Sequence, residues 1–413
     1  MKLSKDKVHR PIQLAIVESL HQIFADGIYA DKVIERQFKS HREWGSRDRK
    51  QIAESIYEIV RWRRLISFCM GEAITNDHES LWRALGVYKV ISHKGDEASL
   101  RDMLWSIQEW QGLKFKEIRE KRIQADKYPA VRESVSDWLY ELGKTELGDK
   151  WDEYLTHLNK QAPVFIRANR LKTDRDKVRQ ELGKELIETE IVEELPDGLR
   201  LVERKNVHAT ESFKKGHFEM QDGASQQVAP LLELEPGMRV IDACAGAGGK
   251  MLHIASYLKN KGKIIALDVN DLKLAELKRR AARNGVDVVE AKLIDSTKVI
   301  KRLEDSADRV LLDVPCSGLG VLRRNPDTKW KLNQEHLDSM RALQQEILSS
   351  YSKMTKKGGL LVYATCSVLP SENENQVETF LAANPGWEKV SEKKFIPGEH
   401  GFDGFYACSL RRL

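Results

Sequence analysis

From residue 221 onward, short apolar runs alternate with helix-patterned stretches, and this alternation constrains the fold more than any other feature. The runs are MRVIDACAG, KIIALDV, DVVEAKLID, ADRVLLDVP and GGLLVYATCS. Runs of this length with helices between them read as parallel strands of a doubly wound, Rossmann-like α/β sheet. Ligands of such sheets bind beyond the carboxyl ends of the strands. Four consecutive runs carry an acid there: Asp242, Asp268, Asp295 and Asp313. A single such acid is explained as a helix cap, but the series is not.

The chain before this region has a different texture. Residues 1–150 contain only Pro11 and Pro129, hold the tryptophans from Trp44 to Trp138, and repeat apolar positions at helical spacing. Ile12, Ile16, Leu20 and Ile23 make one such stripe, and Ile52, Ile56, Ile59 and Val60 another. An all-helical domain is expected here. Residues 151–220 read as a small α/β unit: PVFIRANRLK as a strand leaving into a loop, TDRDKVRQELGKE as a capped helix, and LIETEIVEEL and GLRLVER as strands around a PDG turn. Residues 221–413 form the third expected domain. A net charge of +5 permits a nucleic-acid partner without requiring one. Basic side chains crowd Arg36–Lys50 and Arg61–Arg64 in the helical part; Arg167, Arg170 and Lys172 lie at the mouth of the small unit, and Arg323, Arg324 and Lys329 in a later loop. Each cluster reads either as a solvated or structural face or as a phosphate-contacting surface. No apolar run approaches the ~18 residues of a membrane span. The opening MKLSKDKVHRPIQLAIVESL is charged, then amphipathic, unlike a signal peptide. A cytoplasmic protein is expected, with no membrane association. The five cysteines are scattered and suggest neither a disulfide framework nor a metal site.

The segment VIDACAGAGGK joins a strand to a helix through a glycine-rich turn. Gly246, Gly248 and Gly249 allow a ligand to approach the backbone closely. Lys250 is followed by Met251 rather than Ser or Thr, so the turn is not a phosphate loop, and it lacks the dinucleotide G-x-G-x-x-G frame. Asp268, about 20 residues on, suits the two hydroxyls of a ribose, and Asp295 an adenine edge. This acid series resembles the S-adenosylmethionine-dependent methyltransferase fold. The expected donor site is Asp242, Ala243, Cys244, Ala245, Gly246, Ala247, Gly248, Gly249 and Lys250, with Asp268, Asp295 and Asp313.

Two cysteines follow adjacent strand ends, Cys316 in DVPCSG and Cys366 in ATCS. Both thiols should therefore face the edge where the donor binds. The pairing, with FEMQDGASQQVA, DACAGAGGK, DVPCSGLGVLRRNPDTKW, YATCSVLPSENENQV and DGFYACSLRR, resembles the RNA cytosine-5 methyltransferases of the Sun/RsmB family. The helical region is similar to the NusB-like RNA-binding domain of the RsmB branch. The turn departs from the family at Ala247, where many members carry proline, and at Met251, where threonine is usual.

Carbon 5 of cytosine is a poor nucleophile. A thiolate adding at carbon 6 makes an enamine and loads electron density onto carbon 5, which divides one hard step into two. The residues alone do not say which cysteine attacks. The resemblance implies that Cys366 is the nucleophile and that Cys316 assists release. Asp313 is then the group that hydrogen-bonds nitrogen 3, transiently protonated, and Lys250 orients it or forms a plain salt bridge. The target base must be unpaired or flipped out. The resemblance implies small-subunit (16S) ribosomal RNA as substrate; a monomer is expected. A transfer RNA or DNA substrate, or a non-catalytic ribosome-assembly factor on the same fold, are the alternatives.

Overall fold

The computed structural model describes residues 9–413; the charged opening segment, residues 1–8, lies outside them. Contacts divide the chain into two units: the part up to Asn159 together with Asn325–Asn333, and Lys160–Arg324 together with Gln334–Leu413. Among the described residues no helix is long and apolar enough to cross a membrane.

The first unit is helical from Arg10 to Leu158, as the periodicity predicts. Ile16, Leu20, Ile52, Ile56, Ile59 and Val60 are fully buried, and Ile12 and Ile23 nearly so. Each such side chain contributes roughly 1.5–3 kcal/mol of apolar burial. The basic run at Arg61–Arg64 is largely structural. Arg61 is buried, Arg63 stacks 4.3 Å from the Phe24 ring, and Arg64 donates to the Val135 carbonyl at 2.7 Å.

Asn325–Asn333 comes from far along the chain and completes this helical core. Trp330 donates its indole N–H to the Val60 carbonyl at 2.6 Å. Asp327 accepts from the Ala30 amide at 3.2 Å. Lys329, expected on a phosphate-contacting loop, is instead 1% exposed. Its Nζ donates to the Arg61 and Glu133 carbonyls at 3.3 and 3.1 Å and to Asn159 Oδ1 at 2.5 Å. Burial pushes the ammonium well below the usual lysine range. The charge pattern of the loop was legible, but its destination was not.

The second unit holds two sheets. The smaller is antiparallel, in the order β2-β3-β1-β4, with β1 Phe165–Ala168, β2 Thr189–Ile191, β3 Gly198–Leu201 and β4 Phe218–Met220. The intervening helix Arg175–Lys184 starts at Asp174, whose carboxylate accepts from the Lys177 amide at 2.9 Å. Strand β4 is three residues long, too short for an alternation to show. The larger sheet contains β5 Arg239–Asp242, β6 Lys263–Asp268, β7 Val289–Leu293, β8 Ala307–Asp313, β9 Thr355–Thr365, β10 Trp387–Phe395 and β11 Phe405–Arg412, in the order β10-β11-β9-β8-β5-β6-β7. Strands β5 to β9 pair in parallel, while β11 adds antiparallel to β9 and β10 to β11. The five apolar runs are the five parallel strands of this Rossmann-like sheet, and the antiparallel edge is the addition. The chain reverses its direction of sheet growth between β5 and β8, the crevice where such folds bind ligands.

The small sheet and the large one fall within one contact unit. Glu219 of β4 receives Arg280 at 2.9 Å and also pairs with Arg283, and the Asn169 side-chain amide donates to the Asn284 carbonyl at 2.9 Å. Replacing Lys329 with Met keeps the stem but leaves three buried oxygens without their donor. The expected cost is about 2–4 kcal/mol, read as a lower midpoint in chemical denaturation.

Candidate active site

The glycine turn is zipped to both neighbouring strands. The Ala243 amide donates to Leu311 of β8 at 2.9 Å and the Ala245 amide to Leu267 of β6 at 2.9 Å. Gly248 has φ +86°, and a Cβ there would come within 2.8 Å of the Leu277 side chain. Gly246, at φ +54°, has open space where its Cβ would be. Its amide donates to Asp268 Oδ2 at 2.8 Å, while Asp268 Oδ1 accepts from the Asn270 amide at 2.8 Å. Two bonds thus aim the Asp268 carboxylate and leave further lone pairs for a ligand. Arg280 braces the turn from behind through the Ala247 carbonyl at 2.8 Å.

Asp242 ends β5 at 1% exposure, and neither carboxylate oxygen has a hydrogen-bond partner of proper geometry. Burial, then the nearby Asp313, push its carboxyl up to about 7. The same burial, with Asp242 next to it, holds the Cys244 thiol well above its usual range. Asp313 ends β8, and Lys250 Nζ lies 2.6 Å from its Oδ2. The ammonium also sits 4.9 Å from the Phe405 ring centroid. Asp295 stands two residues beyond the end of β7, exposed, accepting from the Ser296 hydroxyl at 2.9 Å.

Strands β8 and β9 run in parallel register with Asp313 opposite Ala364. The turns that follow therefore leave the sheet side by side. Cys316 and Cys366 meet there with their sulfurs 3.2 Å apart, in hydrogen-bond contact and unbonded. The Cys316 thiol is pushed well above its usual range by that hydrogen bond, then by burial and the Cys366 and Glu372 charges. Glu372, within the YATCSVLPSENENQV block but not singled out by the sequence reading, is fully buried. It accepts from the Ser317 amide at 2.8 Å and from the Ser367 hydroxyl, the residues just after the two cysteines. Its only signal in the sequence was its place six residues after Cys366.

With this geometry in hand, comparison with known proteins is informative. A family model described as 16S rRNA methyltransferase RsmB/F matches residues 229–411. A second, the ferredoxin-like domain of RsmF/B-like methyltransferases, matches residues 135–208. The probable ribosomal RNA small subunit methyltransferase B of Bacillus subtilis is 30% identical over 357 residues, covering 81% of this chain and 78% of that protein. The chain belongs to the RsmB/F methyltransferase family. Its counterpart in Synechocystis, under the same name, is 34% identical over 68% of this chain and 67% of the relative. The crystal structure of PH0851 superposes with a TM-score of 0.82, at 25% identity, over 98% of this chain and 99% of that one.

In this RsmB/F family member the basic residues expected to touch RNA are mostly engaged in holding the fold. Arg167 is 2% exposed; it bonds Gln221 and the Gly249 carbonyl at the start of the helix Gly249–Leu258. Arg323 is 5% exposed and pairs with Asp403. Arg324 bridges Asp403 at 2.5 Å and Asp222 at 2.9 Å. Burial, then Asp403, push the Asp222 carboxyl up to about 6. These four charges lock the loop after Cys316 to the QDGAS and DGFYACSLRR segments. Arg170 and Lys172 remain at the surface, Arg170 paired with Asp197 at 2.5 Å and Lys172 donating to the Lys215 and Arg283 carbonyls. The sequence pattern marked these positions as basic, and the acids that neutralise Arg323 and Arg324 lie about 80 and 100 residues away in the chain.

Arg323→Ala should leave the buried Asp222 and Asp403 to Arg324 alone and cost about 1–3 kcal/mol of stability, measured by thermal or chemical unfolding. The slope of RNA affinity against salt should be unaltered. For Asp242 the sign follows from a carboxyl raised in the folded state. The stability it contributes is full below its unfolded value and is lost as pH rises through about 7. Asp242→Asn should therefore gain in melting temperature relative to the parent chain as pH rises from about 5 to about 8.

Proposed function

We propose that this chain methylates carbon 5 of a cytosine in RNA, with 16S ribosomal RNA as substrate and S-adenosylmethionine as donor, through a covalent adduct at carbon 6. The observation that carries the reading is the contact between Cys316 and Cys366 on the strand edge that also bears the Lys250–Asp313 pair. The relatives' names, ribosomal RNA small subunit methyltransferase B, support the substrate.

The turn fits the donor. Asp242 is a buried carboxylate in want of a partner, and S-adenosylmethionine carries cationic and N–H groups. Gly246 leaves room beside the turn, and Asp268 keeps lone pairs for ribose hydroxyls. When bound, the donor supplies an electrophilic methyl group.

The remaining steps belong to this chain's side chains. The Cys366 thiolate adds to carbon 6, and the electron pair of the 5,6 double bond moves toward the ring nitrogen. Asp313, drawing on the Lys250 ammonium 2.6 Å away, delivers a proton to nitrogen 3. Carbon 5 is now an enamine carbon and takes the methyl group, the donor's sulfur–methyl bond breaking with its pair kept on the donor sulfur. Nitrogen 3 then returns its proton to Asp313, and loss of the carbon 5 proton to a base restores the 5,6 double bond, breaks the sulfur–carbon bond and returns the pair to Cys366. The Cys316 thiol, held protonated, donates a hydrogen bond to that departing sulfur.

Bisulfite sequencing of ribosomal and transfer RNA, from cells with and without the gene, should show one small-subunit cytosine losing protection. Loss of no site would overturn the reaction. In purified protein Cys366→Ala should abolish both turnover and adduct. Cys316→Ala should still add but release slowly, so that enzyme–RNA adducts accumulate on denaturing gels. Exchanged phenotypes would reverse the roles of the two thiols.

A further inference from the structure

The carboxylate of Glu372 is buried beneath the two thiols and is given no part in the chemistry above. Its Oε1 accepts from the Ser317 amide at 2.8 Å and from Gln344 Nε2 at 2.9 Å. Its Oε2 accepts from the Ser317 hydroxyl at 2.5 Å and from the Ser367 hydroxyl. All four donors are uncharged, and the group is 0% exposed. Taking a carboxylate this far from water is costly, and replacement by an apolar side chain would serve packing as well.

The bonds converge on one task. Ser317 and Ser367 directly follow Cys316 and Cys366, and their hydroxyls lie 3.3 Å from each other. Gln344 also donates to the Pro315 carbonyl at 2.9 Å, just before Cys316. The Glu372 carbonyl accepts from the Tyr363 hydroxyl of β9 at 2.7 Å. The next residue, Asn373, donates to the Ser367 carbonyl at 3.1 Å and accepts from the Thr365 hydroxyl at 2.5 Å. One short segment thus staples the β8 turn to the β9 turn at the residues flanking both sulfurs.

We propose that Glu372 is a positioning residue for the two-thiol site, a buried carboxylate that fixes the contact between Cys316 and Cys366 and sets the charge of their surroundings. The proposal rests on the reading of those thiols as the reacting pair. The titratable groups around Cys316 are Cys366, Glu372 and Tyr363. A negative charge below Cys316 disfavours a second one on its sulfur, which keeps a proton on Cys316 for its hydrogen bond to Cys366.

Glu372→Gln preserves the shape, removes the charge, and lets the two hydroxyls turn to accept from the new amide. The full-length variant is alkylated with iodoacetamide across a pH series, and each cysteine peptide is quantified by mass spectrometry. The Cys316 midpoint should fall and its alkylation at pH near 8 should rise about threefold or more. In the methylation assay kcat should drop about tenfold or more with KM for RNA little changed, because misplaced reacting groups lose rate rather than affinity. A folded variant with the parental alkylation profile and kcat would overturn the proposal. Ser317→Ala retains the charge and cuts one of the four bonds, the hydroxyl's to Oε2, together with the contact to the Ser367 hydroxyl. It should lower kcat without lowering the Cys316 midpoint, and a parental kcat there would overturn the tether even if Glu372→Gln fails to fold. The alkylation profile needs no RNA. A shifted midpoint alongside full turnover by Cys366→Ala would sink the proposed reaction and spare the charge effect.

Discussion

The parallel pairing of β8 with β9 is the constraint on which the rest of the site depends. Its register sets Asp313 opposite Ala364, so the two turns leave the sheet together and sulfurs 50 residues apart in sequence come into contact. A slip of one residue would turn every side chain of a strand to the other face. It would send Asp313 away from Lys250 and part the thiols. The register is protected by burial on both faces, since Val310, Leu311, Leu312, Leu361, Val362 and Tyr363 are all 0% exposed. The same strands close one side of the crevice at β5, where the glycine turn begins.

Around that crevice the protein concentrates charge it keeps from water. Asp242 is held without partners, Asp222 and Asp403 are held by Arg323 and Arg324, and Glu372 by neutral donors. These are three different solutions to one electrostatic problem. The arginine-bound acids make a rigid clamp, which suits a loop that must hold its shape. Glu372 gains less Coulombic relief but reaches the two cysteine turns at once. Asp242 is relieved only in part, by the nearby Lys250 charge, and its oxygens lack hydrogen-bond partners, which is the condition of a group awaiting a ligand.

Much of this was legible in the chain. The five apolar runs are the five parallel strands, and the isoleucine stripes of the helical region are its core. Strand endings carried the acids and thiols, because a parallel α/β sheet delivers every strand end to one edge. What stayed hidden is long-range. Lys329 and Trp330 look like loop residues of the catalytic region, yet they pack in the helical unit. Arg323 and Arg324 read as phosphate contacts because their acidic partners are distant in sequence. Strands β10 and β11 had no separating helix pattern to announce them, and β4 was too short to alternate. Glu372 sits among the polar residues of SENEN, and its burial depends on partners on other turns.

The amino-acid sequence by itself determined the fold class, the position of the glycine turn and the identity of the groups at the strand ends. Those follow from local periodicity and from the single edge that a parallel sheet presents. The tertiary structure alone decided which charges face solvent and which are consumed inside. It also decided that the two sulfurs touch and that a third element, through Glu372, holds them there. Burial and pairing are properties of neighbours in space, and the neighbours that matter here lie up to about 300 residues apart, beyond the reach of any local pattern.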